Sequence, residues 1–388
     1  MHQVQQASVI VIGAGIAGAS VAYELAATRS VLLLERESQP GYHTTGRSAA
    51  LFTETYGNTV MRALTRASKR FLAQPPAGFA STPLLSPRGT LLVARVEQLP
   101  GLQRAREECS ALVDNLAWWS GEEVCARLPC FAPDQVAGGL LEPDAMDIDV
   151  HALHQGFLRG LRARDGMLVC NAEVRALGRY REHWRVQTAA GEFAAPLLVN
   201  AAGAWADEIG RLAGAQPIGL VPKRRTAITF DPPTGASIDH WPAVIDIDED
   251  WYFKPDAGRI LASPADETPS PPCDAQPDEY DVAVLVDRLT RVTTLQVPRI
   301  HARWAGLRSF VADKTIVAGF DAQAAGFFWL AGQGGYGIQT APAVARAAAA
   351  LIGGEAIAAD IADLGVDAAA LSPQRPSLRK AMPPSSEG

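Results

Sequence analysis

Two short apolar runs, Val9-Ile10-Val11-Ile12 and Val31-Leu32-Leu33-Leu34, flank a stretch of small and apolar residues whose first charge is Glu24. Runs of four bounded by turn residues read as strands, and the longer stretch between them reads as a helix, so the chain opens on one βαβ unit. Residues 57–73 then place Val60, Leu64, Ala67 and Phe71 at helical intervals and stop at Pro75-Pro76. A strand is expected at 89–94 and helices at 98–114 and 121–128. Asp149 is placed to cap a helix whose apolar face is Leu153, Phe157 and Leu161. His151 and His154 fall on that helix and are read as surface residues, because no carboxylate or cysteine pattern accompanies them.

Short strands are expected at 167–170, 174–177, 184–187 and 197–200. From 219 to 300 the texture is β-rich and broken by prolines, with strands at 223–230, 243–247, 251–254 and 259–262. There Arg225, Ala227 and Thr229 alternate with Thr226, Ile228 and Phe230, the pattern of an antiparallel sheet with one covered face. A Pro/Asp-rich link at 264–279 reads as an exposed loop before a helix at 280–292. Strands near Thr315 and Phe327 lead into a glycine-rich turn and an alanine-rich helix.

The first βαβ unit carries chemistry. Gly13, Gly15 and Gly18 have the G-x-G-x-x-G spacing, in which the first glycine makes a tight turn, the second admits a pyrophosphate and the third lets helix and strand approach. Glu35 ends the second strand, 17 residues after Gly18, where a carboxylate accepts from a ribose hydroxyl. Small residues at Asn200-Ala-Ala-Gly-Ala-Trp and the glycines 332, 334, 335 and 337 repeat the arrangement of close backbone before a helix.

At 388 residues the chain exceeds one ordinary core, so two domains are expected. A hydrophobic share of 48% and a charged share of 20% are those of a soluble globular protein, and a net charge of −7 offers no basic surface for nucleic acid. Five cysteines, odd in number and without metal spacing, suit a reducing cytoplasm, and no metal site is expected. No stretch has the length of a transmembrane helix, because Arg346 interrupts the alanine-rich run.

The segment after Glu35, Arg36-Glu-Ser-Gln-Pro-Gly-Tyr-His-Thr-Thr-Gly-Arg-Ser-Ala-Ala, resembles the second motif of the FAD-dependent amine oxidoreductases, the family of D-amino-acid oxidase, glycine oxidase and sarcosine oxidase. Pro-Lys-Arg-Arg at 222–225, Trp-Ala-Gly-Leu-Arg-Ser-Phe-Val-Ala-Asp at 304–313 and Gly-Gln-Gly-Gly-Tyr-Gly-Ile-Gln-Thr at 332–340 resemble the D-arginine dehydrogenases within it, over nearly the whole chain. The resemblance implies an α/β fold: a Rossmann-like FAD-binding domain (1–82, 149–216, 300–372) interleaved with a β-rich substrate domain of mixed or antiparallel sheet (83–148, 217–299). The tail at 373–388 is expected to be disordered.

By the same resemblance, FAD is held non-covalently by Gly13, Ala14, Gly15, Ile16, Ala17 and Gly18, by Glu35 and Arg36, and by Thr44, Thr45, Gly46, Arg47, Ser48 and Ala49. Val174, Ala202, Gly203 and Trp205 are implied at the adenine half. Gly306, Arg308, Gly334, Gly335, Tyr336, Gly337, Ile338, Gln339 and Thr340 are implied at the other end. Arg308 is the implied anchor for a substrate carboxylate, with Arg225 a second cation, Tyr56 and Tyr252 lining the site, and the Gly335 carbonyl accepting from the substrate amine.

The implied reaction is oxidation of a D-amino acid to an imino acid, which water hydrolyses to a 2-oxo acid and ammonia. The partners are that small molecule and an electron acceptor of the quinone kind, with no nucleic acid. A flavin oxidoreductase of glycine, sarcosine or a 2-hydroxy acid is the alternative within the fold, and a non-catalytic flavin-binding protein is the alternative outside it. Two positions depart from the D-arginine pattern: Leu51 replaces a histidine and Thr90 replaces a glutamate, beside Thr53 on the substrate loop. Without that carboxylate the pocket is expected to prefer neutral side chains, with loop residue Glu54 the remaining candidate for a negative charge.

Overall fold

The computed structural model describes residues 4–379. Its centre is a six-stranded sheet in the order Met167–Val169, Val31–Leu34, Val9–Ile12, Leu197–Asn200, Phe327–Ala331, Val317–Phe320. The strands are parallel except for the last pair. Val9 and Val11 point to one face and Ile10 and Ile12 to the other, and all four are buried. The first face is covered by helices Ile16–Leu25, Thr59–Ala73, Val150–Arg162 and Gly337–Gly353. On the second face, Trp184, Val186 and Phe193 of a smaller sheet (Gln5–Gln6, Gly191–Ala195, His183–Thr188, Val174–Tyr180) pack on Ile10, Ile12 and Leu34. A strand covered on both faces is apolar throughout, which is why these runs lack alternation.

Local chemistry sets the helix starts. The Asn58 side chain accepts from Met61 N at 3.0 Å and that of Asp149 from Ala152 N at 2.8 Å, each occupying a first-turn N–H. His154 is 4% exposed and lies 2.9 Å, through Nε2, from the Ala14 carbonyl. It thus joins this helix to the glycine turn and is not on the surface, while His151 is exposed.

The second sheet has nine strands. Eight run in the order Thr268–Pro269, Val221–Phe230, Arg259–Ser263, Tyr252–Asp256, Ala243–Asp246, Thr90–Ala94, Gly138–Glu142, Ala117–Ser120, and Ile300–Phe310 pairs with Val221–Phe230. It is mixed: Ala243–Asp246 runs parallel to Thr90–Ala94 and the other pairs are antiparallel. Helix Glu279–Val292 covers it through Val282, Leu285 and Leu289, above Phe230 and the stacked rings of Trp251 and Phe253.

Four further expectations change. Residues 225–230 are buried on both faces, because Val221–Phe230 lies beneath that helix on one side and lines a cavity through Arg225 and Ala227 on the other. Ile300–Phe310, expected to begin the return to the first unit, is hydrogen-bonded into the nine-stranded sheet. The link at 264–279 is a strap rather than a free loop: Asp266 and Glu267 hold Arg225, and Ala275 is buried. Of the tail at 373–388, residues 380–388 lie outside the described residues. Its earlier part is packed, with Leu378 2% exposed and Arg375 bonded to Asp313 at 2.6 Å. No helix of the described residues is long and apolar enough to cross a membrane.

Candidate active site

The glycine turn packs as its spacing requires. Gly13 has φ +96° and its missing Cβ would lie 2.5 Å from the Ala201 carbonyl oxygen, while a Cβ on Gly18 would lie 1.7 Å from that of Gly13. The cap residue Gly15 brings no side chain, and among the described residues Gly15, Ala17 and Gly18 N–H have no hydrogen-bond partner. Gly15 and Ala17 border open space, and unpaired first-turn N–H groups of this kind favour an anion. Ile16 N donates to Thr45 Oγ1 at 3.0 Å, which ties the second motif to the first.

Glu35 accepts from Ala14 N at 2.9 Å and from Glu37 N at 3.0 Å; burial pushes its pKa up against these bonds. A cavity of about 180 Å³ opens here, lined by Gly13, Gly15, Glu35, Arg36, Thr44, Thr45, Val174, Ala202, Gly203 and Trp205. The Arg36 guanidinium stands 4.6 Å from the Trp205 ring centroid and bonds Glu173 at 2.8 Å.

A second cavity of about 130 Å³ shares Gly15, Thr44, Thr45 and Gly203 with the first. It continues past Ile16, Ala17, Arg47, Ser48, Ala49 and Gly306 to Gly334, Gly335, Gly337 and Ile338. Arg47 is occupied structurally, since Nη1 donates to the carbonyls of Ala275 at 3.0 Å and Ala305 at 2.9 Å. The two cavities, bordered by bare backbone, unpaired N–H groups and one buried carboxylate, have the donors and acceptor that a dinucleotide requires. Of the residues expected at the cofactor, Ala14, Gly18, Gly46 and Thr340 border neither this space nor the larger cavity beyond it. Ala14 and Gly18 shape the turn, a Cβ on Gly46 would lie 2.7 Å from the Gly41 oxygen, and Thr340 Oγ1 donates within its own helix.

The third cavity, about 560 Å³, meets the second at Ser48, Ala49, Arg225, Tyr252, Arg308 and Gly335. Among the described residues the Arg308 guanidinium has neither a hydrogen-bond nor an ion-pair partner, although its neighbours Arg225 and Lys223 have both. A Cβ on Gly335 would lie 3.0 Å from both Arg308 Nη1 and Tyr56 Oη, so only a glycine leaves this corner open. Burial works against the Arg308 charge, but the Tyr56 and Tyr252 phenols and the Glu249 and Glu267 carboxylates hold its pKa above the ordinary value. Tyr56 is pushed up by burial and stays a phenol. Arg225 is 8% exposed, donates through Nε to the Asp266 carbonyl at 2.9 Å, and has its pKa lowered by burial and by Arg308.

Leu51, Thr53, Thr90, Tyr336 and Gln339 also line the large cavity. Thr90 Oγ1 is buried without a partner. Glu54 is turned away, paired with Lys69 and Arg66. Four carboxylates in or beside the large cavity were not singled out from the sequence. Glu108 and Asp313 line it. Glu249 lines the cavity from the turn after Ala243–Asp246; the run Asp246-Ile-Asp-Glu-Asp signals that turn but not the direction of its glutamate. Glu142 is buried under the loop that carries Tyr56, a contact no local pattern announces.

A model of the family described as DAO, FAD dependent oxidoreductase, matches residues 8–351. L-2-hydroxyglutarate dehydrogenase of Escherichia coli is 26% identical over 220 residues, 54% of this chain and 50% of that relative, so the chain spans about half its length. Mitochondrial dimethylglycine dehydrogenase of Rattus norvegicus is 26% identical over 267 residues, 67% of this chain and 31% of the relative. In architecture the chain is similar to glycine oxidase from Geobacillus kaustophilus, with TM-score 0.79 over 93% of this chain and 98% of that one at 21% identity. At that identity the likeness speaks for the fold. The family match and the paired cofactor cavities agree: this chain belongs to the DAO family of FAD-dependent oxidoreductases.

Proposed function

We propose that this oxidoreductase is a D-amino-acid dehydrogenase that converts its substrate to an imino acid, hydrolysed by water to a 2-oxo acid and ammonia, with neutral side chains preferred. The observation that carries the reading is the unpartnered Arg308 guanidinium at the junction of the cofactor space and the large cavity. A half-buried cation without a counterion gives up hydration unrepaid, and a bidentate carboxylate supplies the missing partner. FAD, when bound, supplies the two-electron acceptor. Arg308 binds the substrate carboxylate; Tyr56, kept as a phenol by burial, donates from the same corner; the Gly335 carbonyl takes an N–H of the amine. Tyr252 lines both the cofactor space and the large cavity. Arg225, held by Asp266 and Glu267, contributes field rather than a contact.

Leu51, Leu92, Ile245 and Ile247 give the side-chain region an apolar wall, which favours neutral side chains by about 25 cal/mol per Å² buried. We assign the six-stranded sheet to cofactor binding and the nine-stranded sheet to substrate binding. The absence of cysteine from 304–319 supports non-covalent FAD, so acid precipitation should leave the colour in the supernatant. A quinone acceptor and a reducing cytoplasm, which suits five unpaired cysteines, complete the reading.

The test is anaerobic mixing of the purified yellow protein with D- and L-amino acids, sarcosine, dimethylglycine and 2-hydroxy acids. Bleaching by neutral D-amino acids is the expected outcome. Bleaching by dimethylglycine or L-2-hydroxyglutarate alone would favour the second reading, to which the names of the two relatives point.

A further inference from the structure

Tyr56 stands on a loop, and a loop that presents a recognition side chain has to be held. Thr53, Thr55 and Tyr56 all line the large cavity. The support comes from the other sheet. Glu142, at the end of Gly138–Glu142, is 4% exposed and directly opposite Thr90 in register. Its Oε2 accepts from Thr53 Oγ1 at 2.7 Å and from Thr55 Oγ1 at 2.6 Å, and its Oε1 accepts from Glu54 N at 2.8 Å. Three consecutive residues converge on one carboxylate, an arrangement of donors that favours the ionised form.

From other directions, Gln339 Oε1 accepts from Thr53 N at 3.2 Å and Arg62 Nε donates to the Thr55 carbonyl at 2.8 Å. Burial pushes the Glu142 pKa up, while the bonds from Thr55, Thr53 and Glu54 N act against it. Glu142 borders none of the three cavities and its oxygens are already engaged, so it is not a substrate ligand.

We propose that Glu142 is a positioning residue that fixes loop 53–56 so that the Tyr56 phenol stays beside Arg308 and Gly335; the inference rests on reading that corner as the carboxylate subsite. A loosened loop leaves the cofactor cradle intact and weakens the corner. That separates it from a merely structural role, which would move both together.

The test compares wild type with Glu142→Gln, whose amide has one acceptor oxygen and donates where two hydroxyls also donate, and with Glu142→Asp, which keeps the charge. Hydrogen exchange should quicken at 53–56 and stay unchanged at 9–18. FAD content should stay unchanged. KM for the D-amino acid that best reduces the flavin, and the Kd of benzoate read from the flavin spectrum, should rise together by on the order of tenfold, with kcat changed less. Glu142→Asp should recover part of this loss. Unchanged KM and Kd, or a parallel collapse of FAD content, exchange protection and kcat, would overturn the proposal. Should Glu142→Gln fail to fold, Thr55→Val removes one donor, and an unchanged benzoate Kd there would also overturn it. Should no D-amino acid reduce the wild-type flavin, the proposed function fails, while the benzoate and exchange measurements still decide the role of Glu142.

Discussion

The cofactor cradle and the large cavity proposed for the substrate are built in opposite ways. The cradle is made of backbone and of side chains that are missing: Gly13, Gly15 and Gly18 lie within six residues, and Glu35 and Thr45 close it from the next connection. The cavity is made of side chains from distant segments: Arg225, Tyr252 and Arg308 come from three strands of the nine-stranded sheet, and Tyr56 comes from the loop before helix Thr59–Ala73. A backbone site tolerates almost no change at its glycines, whereas a side-chain site can change specificity one residue at a time.

The sharpest break in that comparison is Gly18→Val. Any Cβ there would fall 1.7 Å from the Gly13 oxygen, a backbone atom that cannot yield. The expected product binds no FAD, and a yellow Gly18→Val protein would contradict the account of the cradle. On the cavity side, Arg308→Met should keep FAD and lose substrate. Removing one partner of a buried charge pair costs about 2–5 kcal/mol, read as a rise in KM for the amino acid, and unchanged kinetics would sink the assignment.

A smaller effect sharpens the difference between neighbours in the cavity. Thr90→Glu restores a carboxylate toward the side-chain region and should raise kcat/KM for D-arginine relative to D-leucine. Thr90 also pairs with buried Glu142, and like charges directly opposite each other in a sheet are destabilising. The gain should therefore come with a lower Tm; an unchanged substrate ratio would mean that position 90 does not face the side chain.

The smallest expected effect is one of pH. Asp313 lines the cavity, and although burial opposes its charge, bonds from Arg375, Ser377 and Thr315 N hold its pKa at about 2, below the ordinary 3.8. A carboxylate depressed in the folded state stabilises above its unfolded pKa and loses that contribution as pH falls through its folded one. The Tm difference between wild type and Arg375→Met should be constant above pH 3.8 and shrink toward pH 2. A difference independent of pH would show that Arg375 acts by packing alone.

The cradle was legible in the sequence because its requirements are local. A tight turn, a close approach and a helix start need particular residue types at fixed spacing, so Gly13 to Glu35 can be read without a structure. The apolar runs and the caps Asn58 and Asp149 were legible for the same reason: their partners lie within a few residues.

Only the tertiary structure decided that Arg225 is engaged by the 264–279 strap while Arg308 is left unpartnered, since both are arginines on adjacent strands. It alone decided that His154 faces inward, that Glu54 is spent on Lys69 and Arg66, and that the carboxylate beneath the substrate loop is Glu142. Each of these depends on which groups the packed helices, loops and sheets bring within hydrogen-bond or ion-pair reach, and a hydrogen bond across nearly ninety residues leaves no periodic trace along the chain.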